Sequence, residues 1–143
     1  LLIAVHLYRV ANFRAELYLI VAALVIGLIW ESLLLTQNWL AYAGSSIGSN
    51  LAPYWLVIMW APFATTINIS MAWIKGRWLL AVVMGAVFGP MAFIAGEKLG
   101  AVEFLDSTRA LIALSFGWAI LMPLILWISD RINRSDHAEG KTQ

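Results

Sequence analysis

The sequence predicts an all-α fold: a polytopic transmembrane helix bundle with five spans in view, the first of them partial, and six in the full-length protein. Three observations lead there. Hydrophobic residues fill 62% of the 143 positions and charged residues only 12%, whereas roughly a quarter of a soluble domain is charged. Mean hydropathy is +0.84. The apolar residues gather into runs of about 20 separated by short polar turns, and about 20 is the length that crosses a hydrocarbon core of about 30 Å.

Residues 1–8, LLIAVHLY, are too few to cross and read as the end of a spanning helix whose beginning is missing. A signal peptide fits poorly, since no basic region precedes the run and no small-residue cleavage site follows it. A basic turn with Arg9 and Arg14 leads to a second span over about 16–36. Residues 37–50, uncharged and rich in Gly and Ser, read as a loop or a shallow re-entrant segment. The third span covers 54–74, with Pro53 before it and Pro62 inside it, and Lys75, Gly76 and Arg77 form a tight basic turn after it. The fourth covers about 78–100, the acidic loop AVEFLDST follows, and the fifth covers about 109–129. Residues 1–129 thus make a transmembrane helical domain, and 130–143 read as a cytoplasmic polar tail without fixed structure.

Loop charge sets the orientation. If each span crosses once, Arg9, Arg14, Lys75, Arg77, Arg131, Arg134 and Lys141 share one side, leaving Lys98 and Arg109 on the other. The basic side is then cytoplasmic and the C-terminus lies inside. Tryptophans 39, 55, 73, 78 and 127 fall near the span ends, where amphipathic rings collect.

The third span holds four polar side chains, Thr65, Thr66, Asn68 and Ser70, spaced so that they share one helical face. Hydrocarbon offers an amide no hydrogen bond, so this face should look into protein. Two readings stay open for it. Asn68 and the threonines could cap the carbonyls of Ala86 and Ala119, which Pro90 and Pro123 deprive of their helical donors, or they could form a ligand-facing polar patch.

Glu31 lies about 9 Å below the outer end of the second span, and an intramembrane acid is a functional candidate by default. It could pair with Lys98 or Arg109, stay neutral, meet the outer interface, or serve a substrate or proton. Asn68 lies about 15 Å further in, so the two could line one long cavity but not one catalytic centre.

In the fourth span, Ala81, Gly85, Gly89, Ala92, Gly96 and Gly100 recur at spacings of three or four, which aligns them on one helix-packing face. Small residues let helices approach closely in lipid, whether the neighbour is in the same chain, in a homo-oligomer or in another membrane protein.

Several function classes lack their residues. A net charge of +1 without a basic cluster argues against nucleic acid. The chain has no cysteine, and its two histidines, His6 and His137, stand far apart, so we expect no metal site and no cofactor. His6 reads as an interfacial or helix-contact residue and Glu97 as a solvated charge. No nucleophile elbow, P-loop or HExxH motif occurs, so no catalytic residue is assigned.

The segments YWLVIMWAPFATTINISMAWIKGR at 54–77, GAVFGPMAFIAGEKLGA at 85–101 and IWESLLL at 29–35 resemble the small bacterial inner-membrane proteins grouped as domain of unknown function 2878. The similarity runs from about residue 15 to residue 130. Its most specific parts are the FATTxNxSxxW and GPxxxxxG stretches. The resemblance implies a bacterial inner membrane and an additional hydrophobic N-terminal region, and it supplies no activity. Members are often encoded near enzymes that modify membrane fatty acids, which associates the family with lipid.

Three functions follow as expectations. The chain binds or moves a membrane lipid or other hydrophobic small molecule, with Thr65, Thr66, Asn68, Ser70 and Glu31 as ligand-binding residues. Alternatively it is a scaffold or assembly subunit whose small-residue stripe docks a partner helix, or a lipid-modifying enzyme with Glu31 as acid or base.

Overall fold

A computed structural model describes residues 13–44 and 50–139. The first expected span, residues 1–8, lies outside these. Four helices run through the described residues: α1 (Phe13–Thr36), α2 (Tyr54–Ile69), α3 (Trp78–Lys98) and α4 (Ser107–Glu139). Two three-residue strands, β1 (Leu40–Tyr42) and β2 (Val102–Phe104), lie between them, and a 3-10 turn, Ala72–Ile74, follows α2. The helices α1, α3 and α4 are long and apolar enough to cross a membrane.

The expected five spans are corrected to three such helices among the described residues. The third expected span, 54–74, forms a helix of only 16 residues, about 24 Å long. It stops at Ser70, where the backbone N–H groups of Ser70 and Met71 both turn back to the Thr66 carbonyl. Gly76, at φ 84°, then makes the left-handed turn into α3.

The chain is helical as expected, with one short sheet added between the helices. β1 and β2 pair antiparallel, Leu40 opposite Phe104 and Tyr42 opposite Val102, in the segments read as a loop or re-entrant segment and as an acidic loop. They tie the end of α1 to the end of α3. α3 closes with Gly100 at φ 75°, its N–H bonded to the Glu97 carbonyl and that of Ala101 to the Gly96 carbonyl, the Schellman pattern. This turn delivers the chain directly into β2. Asp106 then caps α4 by accepting from the Arg109 backbone N–H at 3.1 Å.

α4 also departs from expectation. It continues through 130–139, where a disordered tail was expected, so the domain boundary at 129 falls inside a helix. Local bonds support this extension: Arg134 pairs with Asp130 at 3.0 Å and Ser135 Oγ donates to the Arg131 carbonyl at 3.1 Å.

The helices pack chiefly as two pairs, α1 with α2 and α3 with α4, and α4 also lies along α1. The consecutive helices α2 and α3 scarcely touch. Tryptophans seated on glycines set the close approaches. The Trp60 ring covers Gly27, where an added Cβ would lie 2.5 Å from it, the Trp118 side chain covers Gly89 and the Trp30 ring covers Gly117, while Gly85 meets the Trp118 main-chain carbonyl. Trp60 and Trp118 stack with centroids 5.3 Å apart, and Phe63 meets both edge-on. Large apolar side chains such as Ile29, Leu79, Phe116 and Ile120 point outward, as surfaces facing acyl chains do.

Candidate functional site

Two polar clusters and one apolar cleft occupy the spaces between the helices. The first cluster centres on Glu31, which is 1% exposed. Tyr42 Oη donates to its Oε2 at 2.6 Å and Trp60 Nε1 to its Oε1 at 3.3 Å. α1 supplies the carboxyl, α2 the indole and β1 the phenol, so this site exists only because the short sheet folds the loop after α1 over the helix ends. Neither cation offered by the sequence is a partner: Arg109 pairs instead with Asp106 at 3.4 Å. Burial, reinforced by the adjacent Glu31 carboxylate, pushes the Tyr42 hydroxyl well above the usual phenol range, so it remains a hydrogen-bond donor at neutral pH.

The second cluster centres on Asn68. Its amide nitrogen donates to Glu16 Oε2 at 2.6 Å. Its oxygen accepts from Lys75 Nζ at 2.9 Å, Ser129 Oγ at 2.6 Å and, more weakly, Asn133 Nδ2 at 3.3 Å. One amide thus fastens α1, the basic turn and α4 to α2. The expected capping of the Ala86 and Ala119 carbonyls is not what Asn68 does. The threonines turn to their own helix, each donating to the Pro62 carbonyl at 2.8 Å, and Ser70 ends α2 exposed to its surroundings.

The cleft lies between α2 and α3, where those helices stay apart. Its volume is about 370 Å3, and Glu31, Trp60, Phe63, Phe93, Gly96 and Trp118 are among its walls. Ala101 and Val102, entering β2, also line it. Glu31 is the one charged group in the wall, and none of Thr65, Thr66, Asn68 and Ser70 reaches it. Glu31 and Asn68 therefore stand at separate sites.

The six small residues of α3 divide in the same way. Ala81 is buried, and Gly85 and Gly89 hold α4 through Trp118. Ala92 and Gly96 face the cleft, while Gly100 belongs to the turn beyond the helix. Glu16, Tyr42, Trp60, Trp118, Ser129 and Asn133 went unrecognised in the sequence. Glu16 carried a usable signal: a carboxylate at the start of an apolar run needs a partner, and Asn68 needed one at that depth.

The carboxyl can hold the polar end of an apolar molecule, because Glu31 keeps unused lone pairs after accepting one bond on each oxygen. Among the described residues no three His, Cys, Asp or Glu side chains converge as metal ligands.

No curated protein and no solved structure matches the chain. A family profile, described as Protein of unknown function (DUF2878), matches residues 1–124. A membrane-type helical chain carrying this match over most of its length belongs to that family.

Proposed function

We propose that the protein binds a lipid or other hydrophobic small molecule laterally from the bilayer, in the cleft between α2 and α3, and is not itself an enzyme. The single observation that carries this is the cleft of about 370 Å3 with an almost wholly apolar wall and one buried carboxyl. Ligand sites have this character, a mostly apolar surface with a few polar groups that orient the occupant. The Met59 side chain in its wall is largely exposed, which supports entry from the acyl-chain region.

A scaffold role would draw on the small-residue stripe, but Ala81, Gly85 and Gly89 already face α4 within the chain. An enzyme would need a second ionisable group at the depth of Glu31, and among the described residues the bonds to its carboxyl come from the Tyr42 phenol and the Trp60 indole alone. We place the Lys75, Arg77, Arg131 and Arg134 end in the cytoplasm, by the excess of basic residues there. On the same ground we count α2, extended by its 3-10 turn, as a further crossing.

The test is extraction into lipid nanodiscs from native membrane, followed by mass spectrometry of the copurifying small molecules. Ala92→Trp fills the cleft from an exposed position on α3 and should deplete a retained apolar compound several-fold without loss of folded protein. A compound profile identical in wild type and variant rules the proposal out.

A further inference from the structure

Resting on the cleft as a ligand site, we infer that its occupant is a single-chain amphiphile with a hydroxyl head, a long-chain alcohol. The two polar features of the wall select it. Glu31 already accepts one hydrogen bond on each oxygen, from Tyr42 and Trp60, and each oxygen has a further lone pair to offer. Trp118, stacked on Trp60 in the same wall, has a buried indole N–H without an acceptor. Two residues of the wall thus hold, just beneath its surface, a spare acceptor and an unpaired donor.

A hydroxyl group answers both, giving its hydrogen to the carboxyl and its oxygen to the indole. An ammonium head would leave the indole unanswered, because it has no acceptor. A carboxylate or phosphate head would bring negative charge beside Glu31 into a wall that contains no Lys, Arg or His, and a buried charge without a partner is strongly disfavoured. The remaining wall is apolar and suits an alkyl chain.

The experiment uses three photoreactive probes with the same diazirine-bearing alkyl chain, ending in a hydroxyl, a methyl ether or a carboxylate. They are added to the protein in phosphatidylcholine nanodiscs, and labelled peptides are mapped. The alcohol should label the segments 55–63 and 92–102 at least about tenfold more than either other probe, the discrimination worth one hydrogen bond to a charged group. Ala92→Trp should abolish that labelling, and Glu31→Gln should erode the preference for the alcohol.

Equal labelling of the cleft by all three probes, still blocked by Ala92→Trp, would overturn the hydroxyl assignment while leaving the cleft a binding site. Cleft labelling indifferent to Ala92→Trp, or none at all, would overturn both. Should Glu31→Gln fail to fold, the comparison of alcohol with methyl ether in the wild type decides the matter, because those probes differ in the donated hydrogen.

Discussion

Tyr42 Oη lies 2.6 Å from Glu31 Oε2, a bond between a three-residue strand and a long apolar helix. It fixes the β1 loop over the cleft and supplies the shortest bond to a carboxyl that has no cationic partner among the described residues. Tyr42→Phe keeps the ring, which meets Trp55 edge-on at 6.5 Å, and removes only the donor. It should cost about 1–3 kcal/mol, the usual penalty for stranding a buried polar group. Unfolding by a denaturing detergent, followed by tryptophan fluorescence, measures it; an unchanged midpoint would show that Glu31 does not depend on this donor.

Asn68 and Ser129 should be strongly coupled. Their bond at 2.6 Å joins α2 to α4 inside a group that also holds Glu16 and Lys75. In a double-mutant cycle of Asn68→Ala and Ser129→Ala, the pair should show a coupling of about 0.5–3 kcal/mol. Simple additivity would mean that the Asn68 cluster is not one unit.

The alkaline limb of stability should report Lys75. Burial lowers its ammonium below the ordinary 10.5, against the opposing pull of Asp130 and Glu16. The unfolded chain therefore binds that proton more tightly than the folded one. Stability should rise with pH from the folded value up to 10.5 and be flat in this contribution below that window. Denaturation profiles from about pH 8 upward should show the rise in wild type and a shallower one in Lys75→Met. Parallel profiles would contradict it.

Two glycines of α3 should behave oppositely to their spacing in the sequence, where they look equivalent. At Gly89 an added Cβ would collide with the Trp118 ring, so Gly89→Ala must move a helix and should cost about 1–3 kcal/mol. At Gly96 the nearest atom to such a Cβ is Val102 Cγ2 at 3.3 Å, which a small side-chain shift relieves. Gly96→Ala should change the unfolding midpoint little. Equal losses at both sites would show that the stripe packs as one surface.

How far the sequence could be read follows from which interactions are local. The runs that became α1, α3 and α4 are visible because crossing a bilayer demands length and apolarity in consecutive residues. The need of Asn68 for partners inside the protein was legible for the same reason, and its bonds to Glu16, Lys75, Ser129 and Asn133 meet that need. Their identity was not, since Glu16 and Ser129 lie 52 and 61 residues away. The threonines misled because a hydroxyl on a helix can bond to its own preceding turn, which satisfies it without any neighbour. The extension of α4 was hidden by its polar composition, which resembles a solvated tail until Ser129 and Asn133 find α2.

By itself the sequence determined where apolar helices stand, which end of the chain is basic, and that Glu31 and Asn68 belong to different depths. Those properties depend on composition and on the fixed rise of a helix. Tertiary structure alone decided that α2 and α3 stay apart to leave a cleft, that Tyr42 and Trp60 rather than Lys98 or Arg109 meet Glu31, and that Trp118 sits on Gly85 and Gly89. Such contacts depend on how side chains of unequal size interlock between helices, and a one-dimensional pattern carries no record of that until the chain has closed on itself.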